Sequence, residues 1–141
     1  MAYSADVAAG DQATAAQYNA LRDDIPYYVE LAGAENKKTT GDSAWEDWDI
    51  SAIIPAGTIA VEVGLGNDVG APGSSQMGVR TNGSALDRWM YVPSPAQAIN
   101  LPITTVQVTP DASRIIEIWA ANHTANGCSF HILGYWIGVG I

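Results

Sequence analysis

From residue 44 to its end the chain is interrupted by turn-forming residues about every eight to twelve positions. That spacing belongs to a sandwich or barrel of short strands. Between the interruptions the residues are mostly β-branched or aromatic. Strands are predicted at 45–50 (WEDWDI), 58–65 (TIAVEVGL), 75–81 (SQMGVRT), 87–92 (DRWMYV), 103–109 (ITTVQVT), 114–121 (RIIEIWAA) and 128–138 (CSFHILGYWIG). Strict alternation in the second puts Ile59, Val61, Val63 and Leu65 on one face. In the sixth, Ile116 and Ile118 oppose Ile115, Glu117 and Trp119. In the last, Phe130, Ile132 and Trp136 oppose Leu133, Tyr135 and Ile137. Both of its faces are apolar, which predicts burial on two sides, by sheet packing or by a neighbouring subunit. Asn82-Gly83 signals a tight turn, and Pro93, Pro95, Pro102 and Pro110 mark loops or edges. The expected fold is all-β: an antiparallel β-sandwich of the jelly-roll kind over residues 44–141.

Residues 1–43 read differently. Thr14-Ala-Ala-Gln17 forms a capping box, in which the Thr hydroxyl accepts from the third amide while the Gln side chain reaches back. Behind it Tyr18, Leu21 and Ile25 fall at i, i+3 and i+7, one apolar stripe on a helix. Pro26 stops that helix, because a residue before proline avoids the α region. So short a helix is marginal alone in water and has to dock on something. Tyr27 to Leu31 is a short apolar run, and Gly33 to Gly41 (GAENKKTTG) reads as a polar linker. The segment as a whole is expected to be an extended arm with a short N-terminal α-helix, its stripe of Tyr18, Leu21 and Ile25 serving as an anchor.

Length and charge narrow the function. At 141 residues the chain fits one domain of common size. Its 15 acidic and 6 basic residues give a net charge of −9. Nucleic-acid binding rests on Lys and Arg neutralising phosphates, so DNA, RNA and anionic membranes are excluded as expected partners. No apolar run approaches the ~20 residues of a membrane span. The opening MAYSADVAAGDQ lacks the basic and apolar regions of a signal peptide. A single cysteine, Cys128, allows no internal disulfide and no Cys-rich zinc site.

Catalytic and cofactor motifs are weak. Gly64, Gly66 and Gly70 are spaced G-x-G-x-x-x-G, and Ala71-Pro72-Gly73-Ser74 cannot start the helix that a dinucleotide loop needs. His123 and His131 flank a turn but lack further zinc ligands. Asp42, Glu46, Asp47 and Asp49 supply oxygens for a weak calcium site without EF-hand spacing, and interleaved Trp45 and Trp48 suit a strand with one wet face. No G-x-S-x-G elbow occurs. Cys128 lies in a predicted strand beside Phe130, as a small apolar side chain does. No enzymatic activity, cofactor or metal is expected. Five tryptophans remain; at strand spacing they suit a core, whereas exposed ones suit sugar stacking or an interface.

Two stretches resemble a known group. Ala13 to Ile25, ATAAQYNALRDDI, is similar to the T-A-x-Q-Y-N-x-L-R-x-D element near the N-terminus of many tailed-bacteriophage virion proteins. Trp45 to Val63, WEDWDISAIIPAGTIAVEV, resembles the W-x-D-x-D-[LI]-S-x-x-[VI]-P-A-G opening of a β-sandwich in phage fibre and head-decoration proteins, and FHILGYWI (130–137) resembles that module's last strand. The resemblance implies a virion protein, commonly trimeric, with an N-terminal anchor and an exposed sandwich. The leading expectation is a non-enzymatic capsid decoration or head-fibre protein. It would bind the major capsid protein or another virion protein as a homotrimer, with strands 114–121 and 128–138 meeting across the threefold axis and Phe130, Ile132 and Trp136 nearly inaccessible in the interior or along that axis. The alternative is a tail-fibre head that recognises a host surface glycan through Trp89 and Tyr91.

Overall fold

Alternation becomes structure at Thr58–Asn67, where Val61, Val63 and Leu65 are all fully buried, as one face of a pleated strand against a core requires. The computed structural model describes residues 25–32, 37–39, 43–67, 73–94, 104–121 and 128–138. Among these residues there are nine strands and no helix: β1 (Tyr27–Glu30), β2 (Lys37–Thr39), β3 (Glu46–Asp49), β4 (Thr58–Asn67), β5 (Gly73–Thr81), β6 (Trp89–Ser94), β7 (Thr104–Val108), β8 (Ile115–Ala120) and β9 (Cys128–Ile137). The predicted helix, with Tyr18 and Leu21, lies outside the described residues.

The strands form two antiparallel sheets in a sandwich-like arrangement. The first has the order β1-β9-β4-β7, with β2 also pairing with β9; the second has the order β3-β8-β5-β6. One core fills the space between them. It takes Val61, Val63, Leu65, Val108, Phe130 and Ile132 from the first sheet and Trp48, Met77, Val79, Val92, Ile116 and Ile118 from the second. Ile50 and Ile54, in the β3–β4 connection, close one end.

The edge of β9 is covered from within the first 43 residues. Tyr27–Glu30 pairs with Gly134–Ile137, and Lys37–Thr39, inside the predicted linker, pairs with Ser129–His131. Two short strands thus satisfy backbone groups that a bare edge would present to other chains. Ile25, the last member of the helical stripe, sits just ahead of β1 and is 63% exposed in the single chain.

Two bulges shift the alternation read from the sequence. Register slips between Thr58 and Ala60, and Ile59, expected in the buried row, is 41% exposed. On β9, Glu62 faces Gly134 but Val63 faces Ile132, leaving Leu133 as an extra residue. Before it, Phe130 and Ile132 point into the core. After it the phase reverses: Tyr135, opposite Val61, packs against the core, and Trp136 moves to the outer face opposite Tyr28 and Ala60. In the single chain Trp136 is therefore half-buried on the outer face, not on the face of Phe130 and Ile132. Within the chain β8 and β9 do not pair with each other. They belong to different sheets, and each is flanked on both sides.

The connections 50–57, 82–88 and 109–114 are cross-linked by polar contacts. Asp111 accepts from the backbone N–H of Ile115 (2.7 Å) and Ser113 (2.9 Å) and from Asn82 Nδ2 (2.8 Å). The Ile115 amide foremost, then the Asn82 side chain, hold the Asp111 carboxyl below its ordinary range. Arg114, at a positive φ of 64°, donates from Nη1 to the carbonyl oxygens of Ser51 and Ile54, each at 3.0 Å. Gly83 takes φ 71° in the Asn82-Gly83 turn, a conformation that glycine adopts without a Cβ penalty.

Candidate functional site: an aromatic face on the second sheet

Because Met77 and Val79 point inward, Gln76, Gly78 and Arg80 point outward from β5. Their cross-strand partners share that face: Tyr91 beside Gln76, Trp89 and Trp119 on either side of Gly78, and Glu117 beside Arg80. Trp45, just ahead of β3, completes the set. The Trp45 and Trp89 rings lie 5.0 Å apart, and Trp89 meets Trp119 edge-on at 4.1 Å and 80°, geometries that the ring quadrupoles favour. Gly78 makes this possible. A Cβ there would lie 2.8 Å from the Arg88 carbonyl oxygen and 2.9 Å from Trp45 Cη2, so any larger residue lifts the indoles off the sheet.

A charged clamp borders the rings. Arg80 donates from Nε to Glu117 Oε2 (2.7 Å), from Nη2 to Glu117 Oε1 (3.3 Å) and from Nη1 to Asp87 Oδ1 (2.6 Å). Its guanidinium carbon lies 4.0 Å from the centre of a Trp45 ring. The planar fork thus makes charge-assisted hydrogen bonds in its plane and a cation–π contact across its face. Glu117 also accepts from the Gly83 backbone N–H at 3.2 Å. Of these rings Trp89 stays 38% exposed, and Tyr91, two residues along β6, is 74% exposed.

A second aromatic contact covers the first sheet. The Tyr28 ring crosses β9 over Gly134, where any Cβ would collide with it. It packs on Trp136 at 4.7 Å and donates its hydroxyl to Glu62 Oε2 at 2.7 Å. Glycine in one strand covered by an aromatic ring from its neighbour is a known sheet device. Partial burial, then the hydrogen bond and charge of Glu62, push the Tyr28 phenol from 10.0 up to about 12. The fold favours the neutral phenol, so this contact contributes fully below pH 10 and is lost as pH rises through 12. An absorbance titration should find one tyrosine ionising near pH 12. Gly134→Ala, whose methyl displaces the ring, should return that step towards 10. An unchanged late step in Gly134→Ala would contradict the placement of Tyr28.

Of the residues named from sequence, Trp89 and Tyr91 share this outer face, while Phe130 and Ile132 lie in the core. Sequence reasoning missed Gly78, Arg80 and Glu117 as parts of the face. Of these three, only Glu117 carried a signal, since with Trp119 it opposes the apolar Ile116 and Ile118. Among the described residues no group of three or more His, Cys, Asp or Glu side chains is placed to hold a metal. His123 and Asp42 lie outside those residues. His131 is buried with Nε2 at 3.1 Å from Ser129 Oγ, and Cys128 is buried. Asn67 spans the core's polar end, donating to Ser75 Oγ (2.7 Å) and the Val92 carbonyl (3.1 Å). No protein-family model matches the chain, and no curated protein matches it in sequence.

Proposed function

We propose that the chain is a non-enzymatic surface protein of a tailed-phage virion. On this reading it is a capsid decoration or head-fibre protein that works as a homotrimer on the major capsid protein. The strand order carries the reading. With β1 and β2 counted as one split edge strand, the sheets run first-eighth-third-sixth and second-seventh-fourth-fifth. That order supports a jelly-roll reading, an architecture common in viral capsid and lectin domains. The inference from architecture to role is by analogy, and the ATAAQYNALRDDI and WEDWDISAIIPAG stretches support it independently.

Exposed apolar side chains support a particular attachment end. Ile25 and Tyr27 precede or open β1, Tyr27 faces Ile137, and Ile59 lies within reach of Gly138 beside it. The arm therefore joins the sandwich at an apolar end suited to a neighbour, and the anchoring role falls to the residues ahead of β1. Many such small contacts stabilise a shell by mass action, and the acidic surface keeps coated particles apart. Light scattering should give three times the 14.8 kDa chain mass. Deleting residues 1–26 leaves every described strand in place, so the variant should keep its β-type circular dichroism and lose particle attachment. A monomer at micromolar concentration would remove the trimer, and a truncated protein that still coats particles would remove the anchor.

The exposure of Trp89 and Tyr91 favours a second reading, in which the same sandwich recognises a host surface glycan.

A further inference from the structure

We propose that the strip formed by Trp89, Tyr91 and Asp87 binds neutral pyranose oligosaccharides; this rests on the glycan-recognition reading and names its ligand class. Sugar rings present one face of C–H groups and a rim of hydroxyls, so a binding site needs a flat apolar ring beside fixed polar acceptors. The strip has both. Trp89 and Tyr91 stand two residues apart on β6 and share the outer face, with their Cα atoms about 6.8 Å apart along the strand. Trp89 is braced by Trp45 and Trp119, so little side-chain entropy is left to lose on binding. Asp87 lies two residues before Trp89 in the chain, and Arg80 fixes one of its oxygens at 2.6 Å while the side chain stays 48% exposed. A carboxylate oriented in this way accepts hydrogen bonds from sugar hydroxyls, and the Gln76 amide, cross-strand from Tyr91, supplies both a donor and an acceptor at the other end of the strip.

Charge selects among glycans. Net charge is −9; on this face the one guanidinium over the rings is already paired with Glu117 and Asp87. Among the described side chains on this face no further cation compensates an incoming carboxylate, sulfate or phosphate, and Asp87 repels one directly. Neutral hexose chains are the class that the strip fits, and sialylated or uronic chains are the class that it rejects. A nucleobase would also stack on indole, but its phosphates meet the same repulsion.

The full chain tests this by calorimetry with maltohexaose, cellohexaose and mannohexaose on one side, and sialyllactose and polygalacturonate on the other. At least one neutral hexasaccharide should bind and both anionic probes should not. Trp89→Ala and Tyr91→Ala should each weaken binding about tenfold or more, as truncation of an aromatic anchor does. Tyr91 is the most exposed of the large apolar residues described, so its variant keeps the test interpretable should Trp89→Ala disturb the Trp cluster. Asp87→Asn should weaken binding, and Trp136→Ala, on the opposite sheet, should leave it unchanged. Binding of the anionic probes alone would overturn the neutral-ligand assignment and leave glycan recognition standing. Absence of binding to any probe would overturn both. Neutral binding that survives Tyr91→Ala and Asp87→Asn would move the site elsewhere. A change of oligomeric mass in Tyr91→Ala, without any sugar binding, would make the strip an interface between copies instead.

Discussion

Phe130→Ala is expected to lower the unfolding free energy by about 3–5 kcal/mol, the usual range for truncating a fully buried aromatic ring. Phe130 has no solvent exposure, faces Leu65 across the ladder and lies in the core between the sheets. Truncation removes the ring's transfer energy and leaves a cavity that two tied sheets cannot close. A domain has some 5–15 kcal/mol to lose, so the variant should unfold at much lower urea with an unchanged slope. Trp136→Ala should cost less, about 2 kcal/mol, from partial burial and the ring contact with Tyr28. Equal losses from the two would put Trp136 in the core and remove the bulge at Leu133.

Arg80→Ala is the second large effect expected, about 2–4 kcal/mol. Its side chain and that of Glu117 are 16% and 13% exposed, so the Glu117 carboxylate would be left partly desolvated with only the Gly83 amide still donating. The cation–π contact with Trp45 is lost as well. Arg80→Lys should recover only part of the loss, since an ammonium cannot bond Glu117 in a fork while lying flat on the indole. Near-ultraviolet circular dichroism should report the loosened Trp45–Trp89–Trp119 cluster in both variants. A loss below about 0.5 kcal/mol for Arg80→Ala, the level of an ordinary surface change, would show that the clamp holds nothing in place.

Much of the fold was legible because most strands obey period two. Val61, Val63, Leu65, Ile116 and Ile118 could be assigned to the core from alternation alone, and all five are buried. Ile59 and Trp136 were misassigned for a single reason: alternation carries parity only until a bulge, and no residue type announces one. β2 escaped because Lys37, Lys38 and Thr39 have no apolar pattern; their strand is set by the unpaired edge of β9 rather than by their own propensity. The aromatic face was half visible. Trp89 and Tyr91 stood out as aromatics near turns, but the closing of three indoles over Gly78 depends on register between β5, β6 and β8. Register joins positions far apart in the chain, and a glycine gives no hint of which rings will cover it.

The extra residue at Leu133 divides β9 into two separately evolvable halves. Ahead of it, every second position is committed to the interior, and drift there is answerable to the whole fold. Beyond it, Gly134 and Trp136 face outward, where their constraint is a pact with one neighbour, Tyr28. A lineage could trade that trio as a unit while the interior stays untouched. The same insertion makes the strand tolerant of one particular deletion: without Leu133 the ladder runs Ile132, Gly134 and Tyr135 against Val63, Glu62 and Val61 with no extra residue, so Tyr135 stays inward and Trp136 outward.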